Sequence, residues 1–119
     1  MARILITGTS KGIGYETTLL LARAGHEVVA TMRNPGASDL EKVAREAQLP
    51  VTVLPLDVDH DASVAEVFEK VGESIDVLVN NAGILSINAI EDESLEQFQR
   101  VMQTNYFGAV RCTKQVLPT

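Results

Sequence analysis

Thr7-Gly8-Thr9-Ser10-Lys11-Gly12-Ile13-Gly14 stands between an apolar run, Arg3–Ile6, and a stretch of helical period that opens near Gly12. Glycines spaced through a turn that joins a strand to a helix mark the start of a β–α unit. Gly8 is free to turn sharply out of the strand. Gly12 leaves the main chain open to close approach by a ligand, and Gly14 lets the new helix lie close against the sheet. The helix N-terminus adds unpaired N–H groups and the positive end of its dipole, which together suit a diphosphate. The spacing is G-x-x-x-G-x-G, and no Gly-Lys-Ser/Thr closes it, so it is not a P-loop.

Working outward, four short runs rich in Val, Ile and Leu read as strands: Arg3–Ile6, Glu27–Met32, Val51–Leu56 and Ile75–Val79. They barely alternate with polar residues, as expected of parallel strands covered on both faces. The first helix is expected from Gly12 to Ala24, with Ile13, Leu20, Leu21 and Ala24 at helical spacing and Gly25 as its stop. Ser38-x-x-Glu41, Ser63-x-x-Glu66 and Ser94-x-x-Gln97 each match a capping box at the start of a further helix. The last of these, from Ser94 to Leu117, carries Leu95, Phe98, Met102, Ala109, Thr113 and Val116 near one face, with Asn105 on it. The alternation predicts a single α/β domain over residues 1–119. The expected fold is a Rossmann-type doubly wound parallel sheet with strand order 3-2-1-4 and flanking helices. In such a sheet the ligand lies beyond the C-terminal strand ends.

Composition narrows the function classes. At 45% hydrophobic and 22% charged residues the chain has the make-up of a soluble globular domain and not of a disordered one. A net charge of -6 argues against nucleic acid, whose affinity comes from cationic neutralisation of phosphates. No apolar run reaches the length of a membrane span, and Met1-Ala2-Arg3 leads straight into the first strand without a signal peptide. A cytoplasmic location is expected. Cys112, the single cysteine, reads as a small core hydrophobe, and His26 as an exposed turn residue. The run Asp57-Val58-Asp59-His60-Asp61 lacks the ligand spacing of a calcium or zinc site and reads as a solvated acidic loop.

The glycine turn, Asn80-Asn81-Ala82-Gly83 after the fourth strand, and Asn105 in the helix beyond it resemble the classical short-chain dehydrogenase/reductases along the whole chain. The resemblance implies a nicotinamide dinucleotide held by Gly8, Ser10, Lys11, Gly12, Ile13 and Gly14. It also implies that Asp57 bonds the adenine amino group, that Val58 packs on the ring, and that Asn81, Ala82 and Gly83 line the ribose pocket. Asn105 would belong to the catalytic group. Met32 stands where an NAD site carries an acid, whereas Arg33 and Lys11 offer two cations to a 2′-phosphate, so NADP(H) is expected ahead of NAD(H).

The same family uses a serine and a Tyr-x-x-x-Lys pair for proton transfer to or from a carbonyl or alcohol substrate. Here Tyr15 is followed four residues on by Leu19, and Tyr106 by Val110, and the sequence stops at Thr119 ahead of the strand that should bring the serine. The 119-residue chain is therefore expected to be the cofactor-binding half of an oxidoreductase and inactive by itself. The alternative is a non-catalytic dinucleotide-binding or interaction module that works with another chain. Either way strand four should be an exposed apolar edge, and self-association is expected through it or through the helix from Ser94.

Overall fold

The computed structural model describes residues 1–72 and 74–117. Strands β1 (Arg3–Ile6), β2 (Glu27–Met32), β3 (Val51–Pro55) and β4 (Val77–Val79) form one parallel sheet in the order β3-β2-β1-β4. Helices α1 (Gly12–Arg23), α2 (Leu40–Glu46), α3 (Asp61–Val71), α4 (Leu95–Met102) and α5 (Gly108–Val116) flank it. This is the doubly wound order expected from the alternation of strands and helices.

The register explains why the strands lack a polar face. Leu5 lies opposite Val29 on one side and Leu78 on the other, while Ile4 lies opposite Val28 and Val77. Leu5 and Val29 join Val64, Val67 and Val71 of α3 and Cys112 of α5 in one core cluster. Ile4, Ile6 and Val28 point the other way and pack with Ala22 of α1, while Ala30 and Met32 pack with Leu19 and Leu40. Both faces of the central strands are thus covered, and the polar residue inside β2, Thr31, is buried with its hydroxyl donating to the Ile6 carbonyl.

β1 and β2 have the expected bounds. β3 ends at Pro55 and not at Leu56, although the Leu56 N–H still donates to the Met32 carbonyl at 2.8 Å. β4 begins at Val77 and not at Ile75. The Asp76 carboxylate accepts the Arg3 N–H at 2.8 Å, so a side chain takes the donor that a longer ladder would use.

The helices depart further from expectation. In α1 the buried residues are Gly14, Thr18, Leu19 and Ala22, while Ile13 and Leu20 are exposed. The expected single helix from Ser94 is divided by a π-helical turn, Gln103–Phe107, closed by a bond from the Gly108 N–H to the Gln103 carbonyl. Its buried residues are Thr104, Gly108 and Cys112, whereas Leu95, Phe98 and Met102 are exposed. In both segments small residues four apart face the interior, because they let the helix backbone come close. A Cβ on Gly108, for example, would stand 2.7 Å from Val58 Cγ2.

Of the three capping boxes one forms by half: Ser94 Oγ accepts from the Gln97 N–H at 3.1 Å, while the Ser94 N–H goes to Glu93 Oε1 at 3.3 Å. α2 starts at Leu40 with Asp39 as its N-cap residue, and the Ser38 hydroxyl donates to the Ser10 carbonyl at 2.9 Å. α3 starts at Asp61, which puts Ser63 inside the first turn, where its Oγ accepts the Asp57 N–H at 2.8 Å. Ser63 therefore ties a loop and does not cap, while Ser38 ties α2 to the glycine turn and also accepts the Leu40 N–H at 3.3 Å. His26 is half-buried and not simply exposed: its Nδ1 accepts the Ala2 N–H at 3.0 Å, under the start of β1.

Cys112 is fully buried, and burial pushes its thiol up to about 11, against the opposing pull of Arg111. At pH 8 a thiol-specific maleimide should label the native chain more than about 100-fold more slowly than the urea-unfolded chain. Equal rates would show that Cys112 is accessible.

Candidate functional site

Beyond the C-terminal ends of β1, β2 and β4 lies a groove of about 740 Å³. One side is made by Gly8, Ser10, Lys11, Gly12 and Ile13, another by Met32, Arg33 and Val58, and a third by Asn81, Ala82 and Gly83. Residues singled out on separate segments of the sequence are thus brought to one cavity, of a size usual for small-molecule sites. Gly14 and Asp57 are not among the lining residues.

The groove is shaped by a knot of hydrogen bonds between the ends of β1 and β4. The buried Thr7 Oγ1 accepts the Asn81 and Ala82 N–H groups at 3.1 and 2.9 Å. The Asn81 amide nitrogen donates to the Gly8 carbonyl at 2.9 Å. Gly8 turns away with φ +72, and a Cβ there would stand 2.7 Å from the Ala82 Cα. A Cβ on Gly14 would overlap the Gly8 carbonyl oxygen and come 2.5 Å from Asn81 Nδ2. Gly14 thus permits close packing against the glycine turn and the Asn81 side chain, a tighter constraint than contact with the sheet in general.

Gly12 is of another kind. Its φ is +67, yet a Cβ there would meet nothing within 4 Å. The space beside it is groove. No side chain caps the N-terminus of α1, so its first N–H groups stay available. Open space beside an uncapped helix N-terminus fits the diphosphate of a dinucleotide.

The charged residues divide. Lys11 is exposed at the rim. Arg33 is engaged: its Nη2 lies 2.9 Å from Asp59 Oδ2 and its Nε 3.6 Å from Asp57 Oδ1. Asp57 also accepts the Asp59 N–H at 3.0 Å and has His60 Nε2 at 3.6 Å. Arg111 binds Asp61 at 2.7 Å and the Val58 carbonyl at 3.0 Å, and it also donates to Gln103. The acidic loop is therefore ion-paired from two sides and not merely solvated. Thr104, buried in the π turn, donates to Asp59 Oδ1 at 2.6 Å. Thr7, Asp59, Thr104 and Arg111 went unrecognised in the sequence; only the alternation of acids at 57, 59 and 61 hinted at cationic partners.

Asn105 is exposed, in contrast to the expected burial on an apolar helix face. It nevertheless has partners: Oδ1 accepts the Ile84 N–H and Nδ2 donates to the Ile84 carbonyl, both at 2.8 Å. A Cβ on Gly83 would lie 3.2 Å from Asn105 Oδ1, so the small residue makes room for the amide. π turns recur at functional sites, and this one carries the asparagine singled out from sequence.

Residues 2–119 match the family model for the short chain dehydrogenases, and the chain belongs to that family of oxidoreductases. Retinol dehydrogenase 8 of Homo sapiens is 46% identical over 120 residues, a match that covers 97% of this chain and 39% of that protein. The chain thus spans well under half the length of this relative. Among solved structures, the NADPH-bound carbonyl reductase from chicken fatty liver superposes with a TM-score of 0.91 at 30% identity, covering 99% of this chain and 48% of that one. A gluconate 5-dehydrogenase from Burkholderia cenocepacia, in complex with NADP and tartrate, gives 0.90 at 28% identity over 98% and 48%.

Two glycine substitutions should separate packing from ligand space. Gly14→Ala should destabilise the fold by about 3 kcal/mol or more, since backbone and amide must both move. Gly12→Ala should cost only about 1–2 kcal/mol, from its left-handed backbone alone. Urea unfolding followed by circular dichroism measures both; equal losses would reject the distinction.

Proposed function

We propose that residues 1–119 form the NADP(H)-binding domain of an oxidoreductase that moves hydride between the nicotinamide and a carbonyl or alcohol substrate. The observation that carries this reading is the open space at Gly12 beside the uncapped α1 N-terminus, with Lys11 and Arg33 bordering the same groove. The solved relatives described with NADPH and NADP support it. When bound, the cofactor would supply the hydride; the chain's own residues hold and orient it.

In this reading the first N–H groups of α1 receive the diphosphate, while Lys11 and Arg33 meet the 2′-phosphate through charge-assisted bonds. Val58, Asn81, Ala82 and Gly83 border the adenosine part. Asp57 has three partners already, Arg33, the Asp59 N–H and His60, and would reach the adenine amine only through acceptor capacity they leave spare. Asn105 splints the segment after β4 and keeps one N–H and acceptor capacity spare, enough to hold a water. The apolar Ile84 borders the groove, and Leu85, Ile87 and Ile90 beyond it are exposed. That surface suits an apolar substrate, in keeping with the retinol named for the human relative. Proton transfer by Ser and Tyr-x-x-x-Lys would need residues outside these 119, since neither Tyr15 nor Tyr106 has a lysine four residues on. A cytoplasmic setting goes with this reading, given the acidic charge balance and the lone buried thiol.

Fluorescence titration of the 119-residue chain should give a Kd for NADPH at least about tenfold below that for NADH, the effect of one or two cations on a phosphate. Equal affinities, or tighter NADH, would reject the assignment. NADPH-dependent carbonyl reduction by the same chain should be absent.

Self-association belongs to the same proposal. β4 ends the sheet, with Val77 43% exposed, and Leu95, Phe98, Met102, Tyr106 and Phe107 give the α4 segment an exposed apolar surface. Light scattering should find dimers or larger species at micromolar concentration; a monomer at every concentration would contradict this.

A further inference from the structure

Arg33 reaches the groove already held by a carboxylate. The ends of β2 and β3 are neighbours, with Met32 opposite Pro55, and this brings Arg33 against the loop that carries Asp57 and Asp59. Within the shorter of the two ion pairs the partners are unequal. The Asp59 side chain is 20% exposed and the Arg33 side chain 51%. Asp59 is also fixed from behind, because its Oδ1 accepts the buried Thr104 hydroxyl at 2.6 Å while Oδ2 takes Arg33. The carboxylate is the anchored member, and the guanidinium leans onto it.

Two carboxylates thus face one guanidinium at the rim, where a phosphate dianion would need that guanidinium for itself. A phosphate binding there must share Arg33 with Asp59 and must also approach the charge of Asp59. A ribose hydroxyl has no charge and meets neither penalty.

We propose that Asp59, held in place by Thr104, is a specificity-setting residue that competes with the cofactor 2′-phosphate for Arg33 and so narrows the preference for NADPH over NADH. The proposal rests on the reading of Arg33 as the 2′-phosphate cation. Asp59 is not itself among the residues that line the groove; it acts through Arg33, which lines it, as does its anchor Thr104.

The test compares Kd values for NADPH and NADH in the 119-residue chain, in Asp59→Asn and in Thr104→Val. Asparagine keeps the shape and removes the charge: its one oxygen still accepts from Arg33, and its NH2 can donate to Thr104 Oγ1 in place of the bond that hydroxyl gave. The NADH-to-NADPH ratio of Kd values should rise about two- to fivefold in Asp59→Asn, the size expected of a partly exposed ion pair. The rise should come from tighter NADPH, with NADH unchanged. Thr104→Val keeps the charge but frees the carboxylate from its anchor, and should move the ratio the same way by a smaller factor. It also serves as the deciding variant where Asp59→Asn fails to give the native circular dichroism spectrum. An unchanged or lowered ratio in the folded variants overturns the proposal. The wild-type ratio tests the reading beneath it separately: a ratio at or below one rejects NADP(H) preference, whereas the shift between proteins tests Asp59.

Discussion

A single hydroxyl fastens the two strand ends that make the groove. Thr7 Oγ1 receives two successive backbone N–H groups, those of Asn81 and Ala82, at the point where β4 stops and sheet pairing no longer supplies acceptors. The Asn81 side chain returns the bond to the Gly8 carbonyl, so each strand end completes the other. Without the Thr7 oxygen, two half-buried donors would lose their partner, at about 1–3 kcal/mol each. The glycines follow from this closure. With the two segments locked together, there is no volume left for a Cβ on Gly8 or Gly14, and of the three turn glycines Gly12 alone has open space beside it.

Threonine recurs in this role. Among the described residues the buried polar ones are Thr7, Thr9, Thr18, Thr31 and Thr104, and each hydroxyl has a named partner. Thr9 reaches the Thr31 carbonyl and Thr31 reaches the Ile6 carbonyl, linking β1, β2 and the glycine turn in sequence. Threonine fills the volume of valine, so a strand can carry it in the core while it spans a gap in the backbone ladder. The groove floor therefore has internal cross-links where aliphatic side chains would supply only contact.

The strands were legible because their signal is bulk apolarity, which parallel sheets maximise. The helix faces were not, because apolarity and burial part company there. In α1 the large residues Ile13 and Leu20 are exposed and Gly14, Thr18 and Ala22 are inside, and the same inversion holds for Leu95 and Met102 against Thr104, Gly108 and Cys112. Hydrophobic spacing finds a helix that is held by large side chains. It misses one held by the near approach of its backbone. At the groove, the placement of Gly8, Gly12, Asn81 and Gly83 could be read directly, since each belongs to a local motif at a strand end. The engagement of Arg33 by Asp57 and Asp59 could not: the strand order puts β2 beside β3 but does not say which side chains meet beyond the two strand ends, 26 residues apart in the chain at Arg33 and Asp59. The π turn has no local sequence signature, and it decides where Thr104 and Asn105 point.

Asn105 presents one donor and one acceptor to a single residue, Ile84, in the pattern by which a neighbouring antiparallel strand would pair with it. Its amide is a strand of length one. The chain leaving Gly83 is consequently steered by a helix-borne side chain at the point where the sheet lets go of it. The path of residues 84–90 is thereby coupled mechanically to the π turn. A rotation of that turn about its axis would be felt in the loop as a change of direction, much as a rudder is moved by its tiller.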